Sequence, residues 1–600
     1  MAEKIVSPGV FTNEIDQSFL PAAIAEIGAC VIGPTVKGPA LVPTVVTSYS
    51  DFQSKFGDVF KSGSNSYQFL TSHTAEQYLK NSDTLTVVRI LDGTFGPATT
   101  NITTGSDSNN SGVAFTLTTH ADGTIMNNSG SGVMTGSNEI LLSGSRHNIR
   151  YEVSGINTKK GTFTLSLRRG DDTIKRKQVL ESYSGINLDP NSTNYIGKAI
   201  GDQVQTVRSD ENLKPFLQLS GSFPNKSKFV RVSGILDTVD YLDENGNVRV
   251  AAASSSLPMS GSGSANGGFS GGVDGLSGFD ALGNQNGTLG STAVTFYEEI
   301  GAQTQGYTPV TLTDTNGGSS YGEALDLISN QDEYDINLIL VPGIISKEHT
   351  VIANKVIDVC EQRGDCFTIL DPIVYGKNVA DATSEADSKD SNYAAVYWPW
   401  VKVPDTQVAG AQRWVPPSTV LGGIYAFNDS VAHPWFAPAG LNRGGIDVAI
   451  QAERKLTQAD RDTLYDANVN PIATFPGQGV TVFGQKTLQK KSSALDRVNV
   501  RRLLIALKKF IASSSRFLVF EQNTSATRRR FLGIVNPYME QVQSNSGLNA
   551  FRVVMDETNN TPDTIDRNQL VGQIFVQPTR TAEFIVLDFT VQPTGASFPE

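Results

Sequence analysis

Six hundred residues exceed what one domain of about 100–200 residues holds, so the chain is multi-domain and no single small binding module describes it. Hydrophobic residues at 39% and charged residues at 18% exclude a disordered polymer, and 56 glycines with 26 prolines point to many strands, turns and loops. A net charge of −12 excludes condensation of the whole surface on nucleic acid or anionic lipid, and three cysteines (Cys30, Cys360, Cys366) exclude a disulfide framework or a multi-cysteine zinc ribbon.

In chain order, the first twenty residues read as an extended arm with apolar Ile5, Val6, Val10, Phe11 and Ile15, too short to own a core. The start Met1-Ala2-Glu3-Lys4 lacks a signal-peptide pattern and no run approaches the roughly 18 apolar residues of a membrane span, so a soluble chain made in the cytosol is expected. Short buried strands are expected at Cys30-Val31-Ile32-Gly33, Leu41-Val42-Pro43 and Thr44-Val45-Val46, a short helix from Asp51 closed by Gly57, a helix over 67–80, and a strand at Leu85–Ile90. Near Gly96 the composition turns to Thr, Ser, Asn and Gly, which reads as a surface insertion. Alternating strands at 149–153, 162–167 and 229–232 make residues 100–250 mainly β. From Ser254 to Gly290 the chain is glycine- and serine-rich with almost no charge, the composition of a flexible linker.

After Tyr321 the period changes. An apolar strand from Ile336, a helix over 347–362 and a second strand from Cys366 to Asp371 form a parallel β-α-β unit, so the fold class is α/β, multi-domain, with β-rich additions. Val500, Leu503, Leu504, Leu507, Phe510 and Ile511 recur at helical spacing and place an amphipathic helix over 495–512, and strands return at 551–555, 573–577 and 583–592.

Tests for chemistry return little. Five scattered histidines show no ligand spacing, so no metal is expected, and Cys360 and Cys366 suit buried small hydrophobes better than a redox pair. Gly268-Phe269-Ser270-Gly271-Gly272 matches a nucleophile elbow in letters but sits in the glycine-serine tract rather than between strand and helix. Asn245-Gly246 reads as a hairpin turn, and no phosphate loop is present, so no catalytic residue or cofactor is assigned.

One charge asymmetry stands out: residues 486–530 hold 12 Lys/Arg against two acids, a local +10 that leaves −22 for the remainder. Arg497, Arg501 and Lys508, with Arg502 and Lys509 beside them, form a basic stripe. It reads either as a solvated helix face or as a surface for docking an acidic protein; the absence of interleaved aromatics disfavours nucleic acid. At the other end of the chain Ile585, Leu587, Phe589 and Val591 share one apolar face of a terminal strand, next to Phe584. Their burial is worth at most ~6–12 kcal/mol before ordering costs, in the chain's own sheet or on a neighbour's edge.

Ser7-Pro8-Gly9-Val10, Gly33-Pro34-Thr35-Val36-Lys37-Gly38-Pro39, Gly271-Gly272-Val273-Asp274-Gly275, Ala437-Pro438-Ala439-Gly440-Leu441-Asn442-Arg443-Gly444, Asp496-Arg497-Val498-Asn499-Val500-Arg501-Arg502 and Asn559-Asn560-Thr561-Pro562 together resemble the tail sheath proteins of contractile-tailed bacteriophages. The match runs over residues 1–95 and 320–600, and residues 100–320 do not match closely. The resemblance implies an N-terminal arm (1–22), a discontinuous α/β core (23–95 plus 320–582), a β-rich outer insertion (96–319, with 254–290 flexible) and a C-terminal arm strand (583–600). It also implies a homo-oligomer of hexameric rings stacked in a helical sleeve around an inner tail tube, meeting baseplate and tail terminator proteins. Such a chain works in the virion after assembly in the host cytoplasm, with no nucleic-acid or membrane binding of its own. Val6, Val10, Phe11 and the 584–591 strand become inter-subunit arms, and the 497–509 stripe becomes the tube-facing candidate. A defective tail-like particle or another contractile injection machine would use the same subunit. The rival of another class is an α/β hydrolase using Asp371 at a strand end. A β-rich adhesin or surface-layer protein fits the middle but lacks an export signal.

Overall fold

The computed structural model describes residues 28–62, 65–105, 112–128, 134–135, 140–141, 143–211, 214–264, 266–275, 297–405 and 410–584. Val6, Val10, Phe11, Ile585, Leu587, Phe589 and Val591 lie outside the described residues.

The centre is an eight-stranded sheet in the order Thr44–Val46, Leu85–Arg89, Gly28–Gly33, Ile336–Ile345, Phe367–Asp371, Ala394–Trp398, Val469–Phe475, Gly479–Val482. Pairing is parallel throughout except at the two edges. Gly28–Gly33, Leu85–Arg89, Phe367–Asp371 and Ala394–Trp398 are buried at every position, as strands of a parallel sheet must be when helices cover both faces. Side chains alternate accordingly. Ala29 and Val31 join the cluster of Leu70, Tyr78, Leu421 and Tyr425 on one face, whereas Cys30 and Ile32 join Tyr321, Val356 and Cys360 on the other. The expected β-α-β unit is Ile336–Ile345, helix Thr350–Arg363 and Phe367–Asp371; Gly364, at φ 68, closes the helix in the left-handed conformation that glycine adopts freely. All three cysteines are free and buried in that second cluster.

Two local expectations change. Leu41-Val42-Pro43 is not a strand: Leu41 is left-handed at φ 57 and its N–H donates to the Arg89 carbonyl, so the chain turns there. The helix expected over 67–80 is shorter, Leu70–Tyr78.

The core sheet leaves off at Arg89 and resumes at Ile336, and the intervening chain builds antiparallel sheets of its own. One runs Val230–Ser233, Val113–Asp122, Phe95–Thr103, Val273–Asp274; another runs Ile149–Asn157, Thr162–Arg169, Val179–Asn187. Within it Arg150 and Arg168, both fully buried, share the equally buried Asp172 at 2.8 Å each. The neck is stapled by polar contacts, with Gly317 N–H donating to Asp92 at 2.6 Å and the Ser320 hydroxyl to the Leu91 carbonyl at 2.7 Å.

The first half of the tract expected to be a flexible linker is built into this β region. Val153 N–H donates to the Ser262 carbonyl at 2.8 Å and Tyr151 N–H to the Gly267 carbonyl at 2.9 Å; Phe269 is buried; Val273–Asp274 closes the sheet edge. Glycine is required there by close approach, since a Cβ at Gly263 would lie 2.2 Å from the Tyr151 carbonyl oxygen and one at Gly267 2.1 Å, both at positive φ. Residues 276–296 lie outside the described residues. Ser270 of the nucleophile-like motif exchanges backbone hydrogen bonds with Thr99, so it belongs to a sheet edge and not to an elbow. Asn245-Gly246 turns the chain as expected, between bridged Leu242 and Val248.

The C-terminal unit packs helix Val498–Ser515 on helix Ser525–Ser544 and on the hairpin Leu548–Val554/Gln573–Pro578. Of the strand expected over 583–592, Glu583 and Phe584 belong to no strand, and residues 585–592 lie outside the described residues. Gly267→Ala is expected to destabilise the β insertion by about 1–3 kcal/mol through forced overlap with Tyr151. Limited proteolysis checks this: faster cleavage within 150–275 at unchanged core resistance is the expected pattern, and wild-type resistance there would contradict it.

Candidate functional site

The helix Val498–Ser515 is the element singled out by charge, and its apolar residues serve two cores at once: Val498 and Ile505 enter the cluster around the central sheet, Leu503 and Leu507 that of the C-terminal unit. A helix buried on two sides has little room for a solvated cationic face, and buried charge is stable only when paired.

The expected basic stripe is accordingly dismantled. Arg497 precedes the helix, donates to Glu583 at 2.8 Å, contacts Asp496 at 3.2 Å and lies over the Tyr465 ring. Arg501, 4% exposed, stacks its guanidinium 4.2 Å from the Tyr393 ring centroid. Arg502 pairs with Asp429 and covers the Tyr425 ring at 4.8 Å. Lys509 bonds Asp335 at 2.6 Å and reaches Asp365 at 3.5 Å. Of the five tube-facing candidates, Lys508 alone is exposed. The correction has a simple cause: ion pairs with Asp429 and Asp335 and a cation–π contact with Tyr393, all from distant segments, engage these side chains within the chain.

What the structure does assemble is a polar clamp around Glu583, where the residues expected to form the C-terminal arm begin. Glu583 accepts from Tyr465 OH at 2.7 Å, Arg497 Nε at 2.8 Å and Gln485 Nε2 at 3.0 Å, while Gln485 also donates to Thr581 at 2.6 Å. Burial pushes the Glu583 carboxyl up, but the hydrogen bonds from Tyr465, Arg497 and Gln485 outweigh it and hold the group below its ordinary range. Lys486 closes the cluster from below, its ammonium over the Tyr465 ring at 4.5 Å. Phe584, the next residue, is 78% exposed. Sequence reasoning reached Arg497 and the arm separately; Tyr465, Gln485 and Glu583, more than a hundred residues apart end to end, carry no local signal that they meet.

Asp371, the carboxylate of the enzyme reading, is fully buried and accepts from Ser418 N–H at 2.9 Å and Ser418 Oγ at 2.5 Å. Burial pushes its carboxyl up to about 7 against the opposing pull of those two donors. It ties the end of one core strand to the start of helix Ser418–Val431, the position of a helix anchor. A crevice of about 1000 Å³ does lie elsewhere, between the core and the β insertion, lined by Lys37, Asp92, His120, Asp122 and Arg231 among others. Among the described residues no three His, Cys, Asp or Glu side chains converge as a metal site, and no helix is long and apolar enough to cross a membrane.

Residues 317–488 match the family model of the phage tail sheath protein central domain, and residues 490–592 that of the phage tail sheath C-terminal domain. The chain is 32% identical over 314 residues to the tail sheath protein of Vibrio phage KVP40, covering 48% of this chain and 47% of the relative. It is 33% identical over 302 residues to that of Enterobacteria phage T4, covering 46% and 45%. The chain thus spans about half the length of the curated relatives it matches. A solved sheath tail protein from Listeria innocua aligns over 90% of each chain at a TM-score of 0.50 and 12% identity, which shows a shared fold. The core, the clamp and the C-terminal hairpin all fall largely within the matched 317–592.

Three outcomes are expected. Glu583→Ala removes three charge-assisted or neutral hydrogen bonds and should cost about 1–3 kcal/mol, seen as a lower melting temperature with faster proteolytic loss of residues beyond 583. Because the Glu583 carboxyl is held below its ordinary range, the clamp's contribution is fully present above that range and is lost only as pH falls on through the lowered folded value. Asp371 has the opposite sign: its raised folded value of about 7 makes burial cost stability as pH rises from about 4 to 7, by roughly 4 kcal/mol in full. Asp371→Asn should therefore melt above wild type at pH 7, with the gap closing toward pH 4; a gap independent of pH would contradict the assignment.

Proposed function

We propose that this chain, which carries the central and C-terminal domains of phage tail sheath proteins, is the repeating structural subunit of a contractile tail sheath. Copies stack as hexameric rings in a helical sleeve around an inner tail tube, and contraction of the sleeve drives the tube through the host envelope for genome ejection. The observation that carries this reading is the pair of consecutive sheath domains matched over 317–592.

The geometry supports it. The hairpin Leu548–Val554/Gln573–Pro578 packs one face on helix Ser525–Ser544 and has no further strand beside it among the described residues. A two-stranded ribbon is marginal alone, and added strands complete it. The arms are the donors: Val6, Val10 and Phe11 at one end, Phe584, Ile585, Leu587, Phe589 and Val591 at the other, each set inserted into the sheet of a neighbouring subunit. The clamp at Glu583 fixes where the C-terminal arm departs, so that the link survives a large rearrangement. The inner tube is met through a reduced set of outward cations, Lys508 among those on the basic helix. Baseplate and terminator proteins bound the two ends of the sleeve, which resides in the virion after assembly in host cytoplasm. The chain acts by packing rather than by catalysis: the carboxylate of the enzyme reading is a helix anchor, and the curated relatives are tail sheath proteins.

Negative-stain electron microscopy of the chain at rising concentration, beside a version truncated before Glu583, tests the reading. Hollow tubes from the full chain and their absence from the truncation are expected. Monodisperse particles from both, with and without inner tube, would overturn it.

A further inference from the structure

Besides the neck, the β insertion meets the core at a corner. Helix Tyr49–Phe56 ends at Gly57, and Asp58 links it to strand Val59–Ser62. Against this corner the insertion presents Arg146 and His147. Arg146 pairs with Asp58. His147, 5% exposed, is pressed onto the glycine, since a Cβ added at Gly57 would lie 3.2 Å from its Nδ1 and 3.5 Å from Cγ of Lys37. The imidazole also hydrogen-bonds the Val59 backbone. A second ion pair joins Lys228 of the insertion to Asp51 of the helix at 3.0 Å. The crevice of about 1000 Å³ borders both meeting places, with Lys37 and Lys228 lining it on this side and Asp92 and Ser319 at the neck.

The corner holds more basic groups than acidic ones. Lys37, 6% exposed, is held down to about 8 by burial and by Arg146, with Asp58 opposing them. Burial, Lys37 and Arg146 together hold the His147 imidazole well below its ordinary range, against the bond to Val59. Asp58 is already engaged by Arg146, by Gln53 at 3.1 Å and by the Val59 N–H at 2.8 Å, and it has Glu76 as a neighbouring like charge. Asp51 is held by Lys55 and Lys228. A proton on His147 therefore sets a third cation beside Lys37 and Arg146 in a buried site, a charge that burial penalises unless it is paired. The neck contacts contain no such group: Asp92 accepts from Gly317 N–H and the Ser319 hydroxyl, and Ser320 donates to the Leu91 carbonyl.

We infer that this corner is a proton-operated latch: with His147 neutral the insertion is fastened to the core, and protonation of His147 releases it there while the neck keeps it attached. The latch is a property of the single chain and goes beyond the sheath reading. Its sign follows from linkage. His147 titrates lower in the closed corner than in water, so the closed form binds fewer protons. Closure is at full strength above the ordinary histidine range and weakens as pH falls below it.

Hydrogen–deuterium exchange of the full chain at pH 7 and pH 5, corrected for intrinsic rates, tests the latch. Segments 57–62 and 145–148 are expected to lose protection by about tenfold or more at pH 5. Core strands Gly28–Gly33 and Phe367–Asp371 and the insertion strand Thr162–Arg169 should keep theirs. The core strands are the control because His73 and His349, buried in the core and held down to about 4, weaken the whole fold in acid. Loss at the corner in step with the core strands would assign the effect to those two and overturn the latch, as would full protection of the wild-type corner at pH 5. His147→Gln, neutral at both pH values, should keep the corner protected at pH 5, and a loss equal to wild type would overturn the latch. Lys37→Met leaves the imidazole in place and removes one of its two cationic neighbours. It should shrink the loss at pH 5 even if the glutamine variant proves loose at pH 7, and an undiminished loss would count against the latch in the same way.

Discussion

The structure depends on one long-range pairing. Gly28–Gly33 lies between Leu85–Arg89 and Ile336–Ile345, parallel to both, with Ala29 opposite Leu85 on one side and Leu338 on the other. Parallel strands need a crossover, and here the chain between two neighbouring strands of one sheet includes an entire β region. That region must leave and re-enter the core at one place. Asp92 at the exit and Gly317 to Ser320 at the return are bonded directly, so the neck is closed by the residues that define it. Beyond the neck the β region is also bonded to the core, with Asp122 accepting from Ala40 N–H and from Arg89 and donating its own N–H to the Gly38 carbonyl.

The second governing condition is the burial of helix Val498–Ser515 on two sides. Joining the central sheet to the C-terminal unit, it takes its apolar contacts from both and leaves its arginines to be neutralised where they stand. Three of them lie over tyrosine rings, Arg497 on Tyr465, Arg501 on Tyr393 and Arg502 on Tyr425, and two add a carboxylate. The helix is thus a weld between domains, and its cations are part of the weld.

These two features explain what could be read from sequence and what could not. The β-α-β unit around Thr350–Arg363 and the helix Val498–Ser515 were legible because burial imposes a period on nearby residues, and that period is local information. The fate of Arg502 or Lys509 was not legible, because a charge at helical spacing looks the same whether Asp429 or water faces it. The tract from Ser262 to Gly272 misleads for a different reason. Glycine and serine signal freedom in an isolated segment, yet here Gly263 and Gly267 are small because the Tyr151 backbone presses against them. Composition reports what a residue permits, and only the neighbour decides which permission is used. The Glu583 clamp combines both difficulties, drawing Tyr465, Gln485 and Arg497 from separate elements onto a carboxylate whose surroundings in sequence are unremarkable in charge.

The position of Gly28–Gly33 has a mechanical meaning. This strand follows directly on residues 1–27, and it is flanked on both sides by parallel partners. Tension applied along it would load both rows of hydrogen bonds in shear, all together, instead of peeling them one at a time. A strand at the rim of the sheet would unzip under the same pull. A longitudinal load reaching Gly28 would therefore pass into the middle of the sheet, where it is shared by Leu85–Arg89 and Ile336–Ile345.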